Sequence, residues 1–152
     1  MNLAVQNNAL VAPGSEALAR VFRIQDEILS HPQIDIPTEH ILHGGMYART
    51  IRLKAGVIVT GAHFKVPSIL IVKGKCAVSS GESAILLCNY HVLTGEAGRK
   101  QVCVTMEDTE ITMIFRTDAK TVEEAENEFT DEAESLMSRK QDGNNIMLVT
   151  GE

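Results

Sequence analysis

The sequence predicts a mainly β domain, a sandwich or small barrel, preceded by one amphipathic helix and followed by a second, acidic one. Three observations carry this. Across residues 34–116 the chain consists of short segments rich in Val, Ile, Thr and Leu, punctuated by glycines, which is the pattern of seven or eight short strands. On either side, apolar residues from Leu18 to Leu29 and from Val122 to Met137 recur at helical spacing. With 152 residues, 44% hydrophobic and 22% charged, the chain has the size and balance of one globular domain.

The elements follow in order. A polar arm containing Gln6, Asn7 and Asn8 ends at Pro13 and Gly14. Residues 15–30 form the first helix, with Ser15 offered as N-cap and Pro32 preventing continuation. Its apolar stripe, Leu18, Val21, Phe22, Ile28 and Leu29, needs cover, from the domain's own sheet or from a neighbouring subunit; these five are the candidate interface residues. In the β-region, Tyr47, Arg49, Ile51 and Leu53 alternate with Met46, Ala48, Thr50 and Arg52. Strand-like segments at 69–72 and 76–78 flank Lys73 and Gly74, and Ser80, Gly81 and Glu82 make a hairpin turn. Further segments lie at 84–88, 90–93 and 101–105, and a last one at 110–116 sets Ile111, Met113 and Phe115 against Thr112, Ile114 and Arg116.

The second helix is expected over residues 121–140. Thr121 and Glu124 match a capping box, in which hydroxyl and carboxylate each satisfy an unpaired N–H of the first turn. Val122, Ala125, Phe129, Ala133, Leu136 and Met137 form its apolar stripe. Its other faces carry Glu123, Glu124, Glu126, Glu128, Asp131, Glu132 and Glu134, seven acids that account for the whole net charge of −6. Such a face is either solvated or docks a basic partner. A turn over 141–145 then leads to an apolar end, Ile146, Met147, Leu148 and Val149. The expected division is an N-terminal arm and helix at 1–43, a barrel at 44–117, and an acidic helix with tail at 118–152.

Composition excludes several functions. Aromatic content of 4%, no Trp and a negative charge leave little for direct nucleic-acid binding, which needs clustered cations or stacking rings. No apolar run approaches the roughly 20 residues of a membrane span, and the start of the chain lacks the basic and apolar regions of a secretory signal. Cys76, Cys88 and Cys103 sit singly in apolar strands, as buried reduced thiols would in a reducing interior. Ser79, Ser80 and Gly81 do not form a nucleophile elbow, and residues 95–100 lack phosphate-loop spacing. The latter read as a barrel-rim turn whose Arg99 and Lys100 join Lys65, Lys73 and Lys75 in a modest basic patch.

Residues 47–56 (YARTIRLKAG), 61–65 (GAHFK), 70–74 (LIVKG) and the Glu107, Asp108, Thr109 turn resemble the small cupin-like proteins found in tailed-phage genomes, over about residues 44–128. The resemblance implies a double-stranded β-helix, a jelly-roll barrel with one open mouth. Cupins hold a divalent metal there through H-x-H, a following Glu and a later His. Here His63 matches the first position, Lys65 stands at the second, Ile69 or Leu70 replaces Glu, and Gln101 replaces the last His. One imidazole beside a lysine does not hold a metal, so neither a metal nor another cofactor is expected. The expected role is a non-enzymatic structural or assembly protein, a virion or accessory component in the virion or host cytoplasm, forming homo-oligomers or contacting other virion proteins. The alternative is a small-molecule binder or metal-dependent cupin enzyme, with His63, Lys65 and Gln101 binding ligand at the barrel mouth.

Overall fold

The segments between residues 34 and 116 become seven strands of a nine-stranded sheet folded into two layers, seen in a computed structural model that describes residues 8–141 and 143–150. Its elements are β1 (Ala9–Leu10), α1 (Ser15–Leu29), β2 (Thr38–His43), β3 (Met46–Leu53), β4 (Ile58–Thr60), β5 (Ser68–Ser80), β6 (Ser83–Gly95), β7 (Val102–Thr105), β8 (Thr109–Arg116), α2 (Val122–Phe129), a 3₁₀ turn (Ala133–Ser135), α3 (Met137–Lys140) and β9 (Asn145–Val149). The main strand order is β1-β6-β5-β8-β3-β2-β9, with β4 pairing β7 and β7 pairing β5. The fold is thus mainly β, with the N-terminal helix and the C-terminal helices the sequence predicts, α1 lying between β1 and β2 and α2 and α3 between β8 and β9.

The long β5–β6 hairpin joins the layers. Its first half pairs with β8 through residues 69–73, and its second half with β7 through residues 76–78. The changeover falls where Gly74 faces Asn89, both at positive φ (140° and 69°). A side chain at Gly74 would come within 2.6 Å of the Asp108 carbonyl and the Thr109 hydroxyl, so the bend depends on glycine there. Alternation holds on β3 and β8: Tyr47, Arg49, Leu53, Met113 and Phe115 are buried. Apolar side chains form two clusters, one around Leu70, Cys76, Val78 and Leu93, the other around Tyr47, Phe115 and Phe129 where α2 closes the barrel.

Several expectations need correction. Gly14, not Ser15, is the N-cap of α1, and no side chain caps the helix. The stripe of α1 packs on its own barrel. Val21 is buried, and Phe22 lies edge-on to the His63 ring at 6.1 Å with the Lys100 ammonium 4.7 Å from its centroid. Of the five candidate interface residues, Leu18, Phe22 and Ile28 are partly covered, and Leu29 alone is more than half exposed. The barrel begins before residue 44, because Thr38–His43 pairs antiparallel with β3, and the tail supplies β9, parallel to β2. Part of the arm, residues 1–7, lies outside the described residues.

The expected helix over 121–140 breaks at Thr130. That residue is extended and buried, donates its hydroxyl to the His63 carbonyl, and forms an isolated bridge with Phe64. β-branched Thr gains more from these barrel contacts than from continuing the helix. Thr121 does cap α2 by accepting from Glu124 N–H at 3.1 Å, but the Glu124 carboxylate reaches Lys120 N–H, one residue before the expected box partner.

This packing can be probed at two places. Gly74→Ala should cost about 3 kcal/mol or more in urea unfolding, from positive-φ strain and the clash with Asp108 and Thr109; a loss within error of zero would contradict the bend. Cys76 and Cys103 are buried, and the Cys103 thiol is pushed well up by its Cys76 neighbour and by burial, whereas Cys88 is half-buried. Native alkylation should therefore label Cys88 first, a departure from the expectation that all three thiols are buried.

Candidate functional site

β3 delivers Tyr47 and Arg49 into the barrel mouth, and α2 delivers Glu126 and Phe129 to meet them. Arg49 donates from Nη1 to Glu126 Oε2 at 2.8 Å and from Nη2 to Ser138 Oγ at 3.1 Å. Arg139 Nε donates to the other Glu126 oxygen at 3.0 Å, and Ser138 Oγ also donates to Glu126. Burial opposes ionisation of Glu126, but the Ser138 hydrogen bond and the two guanidinium groups hold its pKa below the ordinary carboxylate range.

Beside this pair, the Tyr47 hydroxyl lies 2.7 Å from His40 Nδ1, and His40 Nε2 lies 2.8 Å from Asn145 Oδ1. Because Asn145 Nδ2 donates to the Ser138 and Gln141 carbonyls, its oxygen must face His40. His40 therefore carries its proton on Nε2 and accepts from Tyr47. Burial lowers the His40 pKa and pushes Tyr47 up to about 12, so both are neutral.

Planar groups stack across the mouth. The Arg99 guanidinium lies 4.0 Å from the Phe64 centroid; Phe64 stacks on Phe129 at 5.4 Å, Phe129 on Tyr47 at 6.4 Å, and Tyr47 on His40 at 6.0 Å. What remains of the interior is a largely apolar cavity of about 110 Å³ bounded by Leu70, Val78 and Ile111, and an outer hollow of about 170 Å³ beside Gln25, Thr38 and Met137. Arg49 and Phe64 border both.

The three candidate ligand-binding residues have separate structural partners. His63 donates its main-chain N–H to Glu132 at 2.8 Å, and its ring Nε2 is 3.2 Å from the Gly98 carbonyl. Lys65 is exposed and pairs with Asp131 at 2.8 Å. Gln101 donates to the Ser79 carbonyl at 2.7 Å and borders the inner cavity, which neither His63 nor Lys65 lines. They do not form one ligand site. Among the described residues, no group of three or more His, Cys, Asp or Glu side chains could hold a metal.

Arg99 and Lys100, expected on a rim patch, are buried. Lys100 donates to the Gly61 carbonyl at 2.8 Å and pairs with Glu132 at 3.1 Å; burial lowers its pKa against the pull of that carboxylate. Arg99 has the Phe64 face and the Glu96 carbonyl as partners, and burial brings it down to about 10. Sequence reasoning missed Arg49 and Glu126. The first stood at an inward position of the β3 alternation, which was a usable signal. The second was hidden among seven acids.

No protein-family model matches the chain, and no curated protein matches it. Solved structures similar to it include a cupin superfamily protein from Desulfitobacterium hafniense, at 12% identity and a TM-score of 0.47, covering 58% of this chain and 83% of that one. A cupin-2 domain protein from Shewanella frigidimarina is 15% identical, with a TM-score of 0.44 over 65% of this chain and 97% of that one. KdgF from Halomonas sp. is 15% identical, with a TM-score of 0.48 over 59% and 86%. At such identities and TM-scores no function passes from these structures to this chain.

Breaking the buried pair should be costly. Glu126→Gln should lose about 3–5 kcal/mol in urea unfolding, because it strands the buried Arg49. Arg49→Met, which leaves Glu126 to Arg139 and Ser138, should lose less, and Arg49→Met with Glu126→Met should recover much of the Glu126→Gln loss. Equal losses in the single and double variants would contradict a pairwise role. Acidification should also weaken the fold. With its pKa lowered, native His40 resists protonation while the unfolded chain takes up a proton near its ordinary value of about 6.5, so stability falls as pH drops below that point. Glu126 adds a further loss as pH falls below the carboxylate range. Melting temperature should fall between about pH 7.5 and pH 5.5, and His40→Gln should flatten that interval; an equally steep variant would exclude His40 as the source.

Proposed function

We propose that this protein is a non-enzymatic assembly module, a cupin-like barrel whose mouth is closed by its own C-terminal segment. The observation that carries this reading is the placement of Glu126 and Phe129 inside the mouth, on Arg49, Phe64 and Tyr47. A metal-dependent cupin needs imidazoles and a carboxylate converging with positions left open for substrate. The residues here do not fit such a centre: His63, Lys65 and Gln101 hold Gly98, Asp131 and Ser79 instead. Exposed apolar side chains lie on outer strand faces and edges, including Ile41, Ile69, Ile146 and Leu148, and such surface supports a role in contacts between proteins.

The finer reading is a virion or accessory component of a tailed phage, with copies of itself or other virion proteins as partners. It rests only on the resemblance of residues 47–56, 61–65, 70–74 and 107–109. Native mass spectrometry with elemental analysis tests the module: the purified protein should carry no stoichiometric transition metal. About one Zn, Fe, Mn or Ni per chain, lost in His63→Ala, would replace this reading with a metal enzyme.

A further inference from the structure

We infer that β9 is a pairing edge for a second copy of this chain, joining two barrels through antiparallel β9 strands about a two-fold axis centred on Met147. The inference deepens the assembly reading and rests on it, since it names the partner and the surface. β9 ends the main strand order, and among the described residues no strand lies on its outer side. Its four apolar residues are all exposed: Ile146 67%, Met147 56%, Leu148 57% and Val149 47%. Edge strands are commonly protected by a charge, a proline or a bulge. β9 has none: its sequence is NIMLV, and its register with β2 runs unbroken from Asn145 to Val149.

The backbone identifies the partner. In a parallel ladder, alternate residues turn both N–H and C=O toward the neighbouring strand. Thr38 N–H donates to the Asn144 carbonyl and Thr150 N–H donates to the Leu42 carbonyl, so the even-numbered residues of this segment face β2. Asn145, Met147 and Val149 therefore turn their backbone groups to the free edge. An antiparallel copy centred on Met147 sets Met147 against Met147 and Asn145 against Val149 on both sides of the axis. That register satisfies every outward donor and acceptor with an identical strand, the self-matching an isologous dimer requires. The strand carries no charge, so like-charge repulsion between copies does not oppose it. Four partly exposed side chains supply only part of the roughly 800 Å² per partner of a standard interface, so the dimer is expected to be reversible.

Sedimentation velocity on the full chain from about 1 to 100 µM, alongside Met147→Pro and Met147→Lys, tests the edge. Proline at 147 removes an outward N–H and leaves the bonds to β2 in place; Lys adds the charge that β9 lacks. Wild type should dimerise in this range, and each variant should weaken the dimer at least about tenfold with little change in melting temperature. Should the proline variant unfold, Met147→Lys still separates a paired edge from a free one. For the register, Met147→Cys in a Cys88→Ser background should form an intermolecular disulfide under mild oxidation, and Leu148→Cys should not, because Leu148 faces Ile146 of the other copy. A wild-type monomer throughout, a dimer indifferent to both variants, or crosslinking at 148 in place of 147 would overturn the inference. None of these outcomes touches the metal analysis, which decides the non-enzymatic reading separately.

Discussion

A guanidinium at an inward strand position must be met by an anion, and Arg49 imposes that requirement on the barrel mouth. The inward face of β3 also carries Tyr47, Ile51 and Leu53, so the strand cannot turn Arg49 to solvent without exposing them. The chain after β8 satisfies it by returning Glu126 on the first turns of α2. Once Glu126 is fixed, Phe129 follows on the same face and enters the stack between Phe64 and Tyr47. Ser138 and Arg139 complete the coordination of the carboxylate, and Asn145, beyond them, closes on His40 and begins β9.

A second ion pair holds the other flank. Lys100 and Glu132 join the turn before β7 to the segment after Thr130, while Glu132 also accepts from the main chain of His63. Buried pairs of this kind add little net stability compared with apolar residues of the same shape, but each penalises any arrangement that separates its partners. Their effect here is to specify where the C-terminal segment lies. His63, through its main-chain N–H and carbonyl, is part of that fastening.

The β-region was legible because its signals are local. Period-two alternation separated Tyr47 and Arg49, and Met113 and Phe115, from their neighbours; the structure turns those faces inward, and the Ser80 to Glu82 turn closes the β5–β6 hairpin as expected. The α1 stripe was equally legible, but amphipathicity states only that a face is covered, and the same Val21 could be buried by a sheet or a subunit. The break at Thr130 was not readable, since it depends on Phe64 and His63, more than sixty positions away in the chain. Glu126 differs from its acidic neighbours only through Arg49, 77 positions away. The β9 strand was likewise invisible, because five residues after a turn become a strand only when β2 offers its edge.

The C-terminal segment is a fixed part of the barrel and not a lid over an open site. Native-state hydrogen exchange on α2 measures this most directly, because amides of Val122–Phe129 report whether that helix opens on its own. If Arg49, Glu126 and Phe129 tie it into the core, these amides exchange only by global unfolding, with the same free energy and denaturant dependence as β3 and β8. Exchange of α2 through a low-energy opening that leaves β3 and β8 protected would show a mouth that uncovers itself, and would contradict the account.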